Sequence, residues 1–221
     1  MAEINQVVII GNGDLARLLI KYMKRDGYNI LGIMIEKEFI QDKFIDGYPV
    51  LSFEDRSIYE KDKVGFIVAI AHIKMNKVRE EIVIRLIEEG YRVNNYVSSN
   101  SIVFDVEING VNNIIMDGAI IEPQCKIGNG NIFWPQSCIS HDTIIRDFCT
   151  FTSGVKVGGN TFIDSRFFFG LNSSVNEKVI VSKGTLLSAN TNLRFNTMEN
   201  DVIVSPKGVK LDYKSNHFFN N

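Results

Sequence analysis

The sequence predicts two architectures in series: an α/β Rossmann-like unit over residues 1–97 and a left-handed parallel β-helix domain over residues 98–221. Three observations predict this. Strand-sized apolar runs alternate with helical spacing up to about residue 95. A glycine-containing turn joins the first such run to the first helical pattern. A six-residue repeat then takes over and holds to Leu193.

The N-terminal elements follow in order. Val7-Val8-Ile9-Ile10 is a buried-strand run that ends in Gly11-Asn12-Gly13-Asp14. Leu15, Ala16, Leu18, Leu19, Tyr22 and Met23 then recur at helical spacing. Ile30 to Ile35 is a second strand and Phe66 to Ile70 a third. A helix over Met75 to Glu89 stops at Gly90, and Tyr91-Arg92-Val93 forms a fourth, short strand. Strand and helix in alternation mean a small parallel sheet with right-handed crossovers.

Near Ser98 the helical period disappears. Every sixth residue from Ile115 through Ile121, Ile127 and Phe133 to Leu193 is large and apolar. The parallel series from Ala119 through Cys125, Asn131 and Ser137 to Thr191 is mostly small or β-branched. A strand has period two and a helix period 3.6, so an unbroken six belongs to neither. Each hexad makes one flat side of a triangular coil, and three hexads make a turn. The apolar residue then points into the prism and stacks on its equivalent one coil away, while the small residue fits near a corner. Backbone hydrogen bonds run from coil to coil, as in other solenoids. Asn109 breaks the phase, so the first coil is expected to be irregular. The β-helix is expected to end near Arg194 to Asn196, with Val202 to Val209 a tail strand or extension.

Composition narrows the function. The 221 residues carry a formal charge of −2, so nothing points to nucleic acid or an acidic membrane as partner. No apolar run is long enough to insert in a bilayer, and the N-terminus lacks the marks of a signal peptide. Cys125, Cys138 and Cys149 show no metal-ligand spacing and read as reduced thiols of a cytoplasmic protein. Of three histidines, His72, His141 and His217, only His141 lies in the regular repeat. A γ-type carbonic anhydrase on the same scaffold needs three histidines for zinc, and one excludes it.

The order Val8-Ile9-Ile10-Gly11-Asn12-Gly13, then Phe66-Ile67-Val68-Ala69-Ile70-Ala71, then Ser140-His141-Asp142 resembles the PglD and NeuD type of acetyltransferase. The stretch from Phe148 to Asn160 also fits that family's run after its histidine. The resemblance covers nearly the whole chain. It implies acetyl-coenzyme A as co-substrate without a metal, a nucleotide-linked amino sugar as acceptor, a homotrimer with sites between adjacent β-helices, and a role in surface-glycan (lipopolysaccharide, O-antigen) synthesis. The expected acceptor is a 4-amino-4,6-dideoxy sugar.

The resemblance also assigns roles. His141 becomes the general base, with Asp142 orienting or tuning it. Imidazole, with a pKa of about 6.5, suits proton transfer from an amine near neutrality. Gly159 falls where the family's amide meets the thioester; a plain corner glycine is the alternative. Gly170, Leu171 and Ala189 resemble positions lining the coenzyme A groove, and Thr150 replaces a histidine that contacts acetyl-coenzyme A in some relatives. Gly11, Asn12 and Gly13 precede a helix whose N–H groups favour an anion. Glu36 is placed to bind ribose hydroxyls or to be a solvated carboxylate, and His72 to contact the nucleotide or to be an ordinary loop residue. Asn12 and Asp14 depart from a Gly-Gly-His type loop, and Ser205-Pro206-Lys207-Gly208 from the usual tail. An O-acetyltransferase of the sialic acid type and a non-catalytic trimeric scaffold remain the alternatives.

Overall fold

A computed structural model describes residues 5–210; His217 and the rest of 211–221 lie outside the described residues. The N-terminal unit is a six-stranded sheet. Its strands are β1 (Gln6–Ile10), β2 (Asn29–Ile35), β3 (Phe44–Ile45), β4 (Tyr48–Ser52), β5 (Gly65–Val68) and β6 (Arg92–Val93). Their order is β3-β4-β2-β1-β5-β6, parallel except for the β3–β4 hairpin. The alternation of side chains along β1 decides the two layers. Val7 and Ile9 pack with Leu15, Leu19 and Met23 of α1 (Asp14–Arg25). Val8 and Ile10 pack with Val83 and Leu86 of α2 (Lys77–Glu88) on the opposite face.

The α2 helix starts two residues later than its sequence pattern suggests, because Met75 and Asn76 are left-handed at φ 52° and 67°. The β3–β4 hairpin and the 3-10 turn at Phe53–Ile58 are elements that the apolar periods do not reveal.

From Tyr96 onward, eighteen two-residue strands form the three sides of the left-handed parallel β-helix, in sheets of seven, six and five. Regular pairs lie eighteen residues apart, as in Ile121↔Ile139 and Ile127↔Ile145. Both inward series are buried along their whole length. Phe133, Phe151 and Phe169 stack along the axis with centroids 4.8 and 4.7 Å apart.

The irregular first coil has a register cause. Ile127 pairs with Ile108, nineteen residues back, so Ile108 takes the inward place and Asn109 is displaced into the corner. At the other end the coil does not stop at Asn196. The Asn196 side chain and Thr197 cap the third side at Ile180 and Ser182. Val202–Ile203 then adds a strand to the first side, with Ile203 on Leu187 only sixteen residues back. The shortened coil destroys the six-residue phase while keeping the pairing.

The α/β unit lies against the first side. Its outward residues Tyr96, Ile114 and Ile132 share a core with α1. Asn112 closes both of its amide groups on the Val68 backbone. Arg25 binds Asp117, and Asp26 accepts from Tyr96 and Ser99, which ties the end of α1 to the first coil.

Candidate active site

His141 sits at the corner between the second and third sides, just past the strand Cys138–Ile139. Its side chain is 57% exposed. Asp142 turns the corner at φ 57°, a conformation that Asp tolerates, and this brings its carboxylate back to the ring. The His141 Nδ1 to Asp142 Oδ2 distance is 2.8 Å. A nitrogen this close to a carboxylate oxygen carries the proton, because two lone pairs would repel. In the neutral ring this leaves the Nε2 lone pair to accept one.

Gly159 lies one coil later, beside the ring. A Cβ there would fall 2.9 Å from His141 Cε1 and Nε2. Glycine at this position makes room for the imidazole itself, a reason that neither sequence alternative included. The neighbouring Asn160 N–H donates to the His141 carbonyl. The His141 N–H is answered by Glu122, one coil earlier, at 2.9 Å. The Gly159 N–H has no such partner among the described residues. Glu122 is a site residue that the repeat could not single out, because its role appears only once the coils stack.

Gly170, Leu171 and Ala189 occupy the next corner, between the first and second sides. Leu171 is 54% exposed and Ala189 is also exposed. Gly170 is needed by the coil: a Cβ there would come within 2.5 Å of the Ala189 nitrogen. One chain therefore does not bring these three residues to His141. Six residues carry the backbone along a whole side of the prism and leave the two groups at different corners.

The expectation for Thr150 needs correction. Its side chain points outward from the first side into the seam with the α/β unit and is fully buried. Its hydroxyl donates to Asn76 at 2.9 Å and accepts from Arg79. It has no surface to offer coenzyme A.

The nucleotide candidates gather at the carboxyl edge of the N-terminal sheet. Neighbouring parallel strands β2, β1 and β5 end at Ile35, Ile10 and Val68, which places Glu36, Gly11-Asn12-Gly13 and His72 along one edge. The chain runs to opposite sides of β1 in its two halves, so this is the switch-point crevice of an open α/β sheet. Gly11 is demanded by the fold, with φ 121° and a would-be Cβ 2.8 Å from the Ala69 carbonyl oxygen. Gly13 is not, since a Cβ there would meet nothing within 4 Å. It is the N-cap of α1 and leaves the first turn open above it. Glu36 is exposed beside Lys37, Glu38 and Glu54. The His72 ring lies 4.9 Å from that of Phe168, so the crevice borders the β-helix.

The thiols are poor nucleophiles. Burial pushes Cys149 up to about 12 and Cys125 up to about 11, and Cys138 is raised for the same reason. Among the described residues no group of three His, Cys, Asp or Glu could hold a metal ion. Among them, too, no helix is long and apolar enough to cross a membrane.

Known proteins resemble this chain in sequence and in fold. Residues 6–86 match the PglD N-terminal domain family. GDP-perosamine N-acetyltransferase of Escherichia coli O157:H7 is 25% identical over 178 residues, which are 77% of this chain and 78% of the relative. A variant of perosamine N-acetyltransferase from Caulobacter crescentus, in complex with CoA and GDP-perosamine, superposes with a TM-score of 0.83 at 20% identity, over 94% of this chain and 97% of its own. The acetyltransferase domain of PglB from Neisseria gonorrhoeae, in complex with acetyl coenzyme A, gives 0.82 at 16% identity over 91% and 96%. These structural likenesses are of fold.

Proposed function

We propose that the chain is an acetyl-coenzyme A-dependent N-acetyltransferase acting on a nucleotide-linked amino sugar, a reading that the match of residues 6–86 to the PglD N-terminal domain family supports. The observation that carries this is the exposed His141 ring, held by Asp142 at Nδ1, with no hydrogen bond to Nε2 among the described residues. The relative named for GDP-perosamine, aligned over most of both chains, supports the acceptor class and an amine rather than a hydroxyl as nucleophile.

Acetyl-coenzyme A, when bound, supplies a thioester whose C–S bond breaks as the sugar nitrogen forms its N–C bond. His141 Nε2 takes the proton that the amine must lose, and Asp142 stabilises the imidazolium that results. The proton then leaves with the thiol. The Gly159 N–H, unpartnered among the described residues, fits the need for a donor at the carbonyl oxygen, where charge grows during the transfer. Leu171 and Ala189 are exposed, and a coenzyme groove that joins them to His141 requires the corner of another copy, as a homotrimer would supply.

Gly11, Asn12 and Gly13, with the open first turn of α1, hold the diphosphate in this reading. Glu36 takes the ribose and His72 the side nearest the β-helix.

The test is a screen of GDP-, UDP- and dTDP-linked 4-amino sugars with acetyl-coenzyme A, following free thiol. Thiol release with one nucleotide series is expected, together with its loss in His141→Ala. No release with any amino sugar would favour a non-catalytic role. Unchanged release by His141→Ala would remove the base.

A further inference from the structure

The segment between β5 and α2 is unlike every other turn among the described residues. Lys74, Met75 and Asn76 are left-handed in succession, at φ 48°, 52° and 67°. Among the described residues no other non-glycine residues are left-handed consecutively; the β-helix corners use them singly. Such a run is costly for L-residues and persists only where its surroundings impose it.

Those surroundings are two buried side chains that reach across to the β-helix. Asn76 is fully buried and donates to the Phe167 carbonyl at 3.2 Å while accepting from the Thr150 hydroxyl at 2.9 Å. Arg79 is also fully buried. It donates to the Ile70 and Ala71 carbonyls at 2.8 and 2.6 Å, to Gly130 at 2.9 Å, and more weakly to Cys149 and Thr150. Every one of these acceptors is neutral. The adjacent Glu80 pairs with Arg166 instead. A buried cation without a carboxylate partner is expensive, and simple packing would be better served by an apolar side chain.

The same two residues fix the loop that carries His72. Arg79 grips the carbonyls of Ile70 and Ala71, immediately before it. Asn76 anchors the far end to Thr150, whose strand pairs directly with the strand holding Phe168, the ring that His72 packs on. The loop at the edge of the nucleotide crevice is thus set by the β-helix as much as by its own domain.

We propose that Asn76 and Arg79 are positioning residues for the nucleotide-sugar acceptor. They hold the His72 loop in its left-handed form and so keep the crevice in the shape that accepts the nucleotide. This rests on the acceptor class argued above. It adds that nucleotide affinity depends on a buried clamp, remote from the acetyl-transfer corner.

The test uses Asn76→Gly and Arg79→Lys in the full chain. Glycine adopts the left-handed conformation without strain, so Asn76→Gly removes the anchor on Thr150 and Phe167 without adding backbone strain, and it tests the proposal even if Arg79→Lys does not fold. GDP, UDP and dTDP are each titrated calorimetrically into wild type and variants. The nucleotide that wild type binds is expected to bind about ten-fold more weakly to the variants, the scale of an ordinary lost coupling. The acceptor KM rises with it, while kcat and the acetyl-coenzyme A KM stay within about two-fold, a split that general loosening of the structure would not produce. Unchanged nucleotide affinity in a folded Asn76→Gly overturns the clamp and leaves the acceptor class standing. Binding of none of the three nucleotides by wild type overturns the acceptor class, and the clamp with it.

Discussion

Adding one methyl group at Gly159 tests the acetyl-transfer corner at atomic scale. In Gly159→Ala the new Cβ would fall 2.9 Å from His141 Cε1 and Nε2 and 3.3 Å from Nδ1. Ordinary carbon contacts lie at about 3.5 Å or more, so something must move by about half an ångström. The coil backbone is held by ladders on both sides, including Asn160 N–H to the His141 carbonyl and Lys178 N–H to the Gly159 carbonyl. The imidazole is 57% exposed and is the part free to swing. Its displacement costs the Asp142 hydrogen bond, about 1 kcal/mol at an exposed site, so the fold should survive with little change in Tm. Catalysis should not. A base displaced by a fraction of an ångström and released from its orienting carboxylate is expected to lower kcat about 100-fold. The assay is thiol release at saturating acetyl-coenzyme A and amino sugar, beside a thermal melt. Wild-type kcat in a folded Gly159→Ala would refute the assignment of the ring, in its observed pose, as the base.

Asp142→Asn keeps the left-handed corner, because Asn tolerates it equally, but removes the charge beside Nδ1. It should reduce kcat by about ten- to 100-fold with stability changed by less than about 0.5 kcal/mol, read from kinetics and a melt together. A pH prediction follows from the seam at Arg25. The Arg25 guanidinium holds the Asp117 carboxyl down at about 2, below the ordinary 3.8. A lowered carboxyl stabilises the fold fully above its ordinary value, and that stabilisation is withdrawn as pH falls from about 4 towards about 2. Screened by the partly exposed Arg25, the loss should be about 1 kcal/mol, and Asp117→Asn should flatten the Tm profile in that window. In the prism, Phe151→Ala interrupts the stack between Phe133 and Phe169 and should cost about 3–5 kcal/mol, measured by denaturant unfolding. A cost below 1 kcal/mol would mean that the coils collapse around the cavity.

How much of this was legible in advance varies by element. The six-residue series specified the prism because its cause is local: each inward place is filled by its own hexad. It failed at Asn109 and after Leu193 because inserted and deleted residues there preserve pairing while shifting phase. The left-handed run at Lys74–Asn76 had no sequence sign, since its strain is sustained by Thr150 and Phe167, which are remote in the chain. The place of Thr150 in the seam has the same cause. The repeat defines an outward place, and only the docked α/β unit turns that place into an interior one.

The sequence by itself determined the two architectures, the corner position of His141 and the crevice glycines, because periodicity and turn chemistry act over a few residues. Tertiary structure alone decided that Gly159 makes room for the imidazole, that Glu122 answers the His141 amide, and that a buried arginine binds the Ile70 carbonyl. Those contacts form between coils or between domains, and their energies depend on distances that no local pattern encodes.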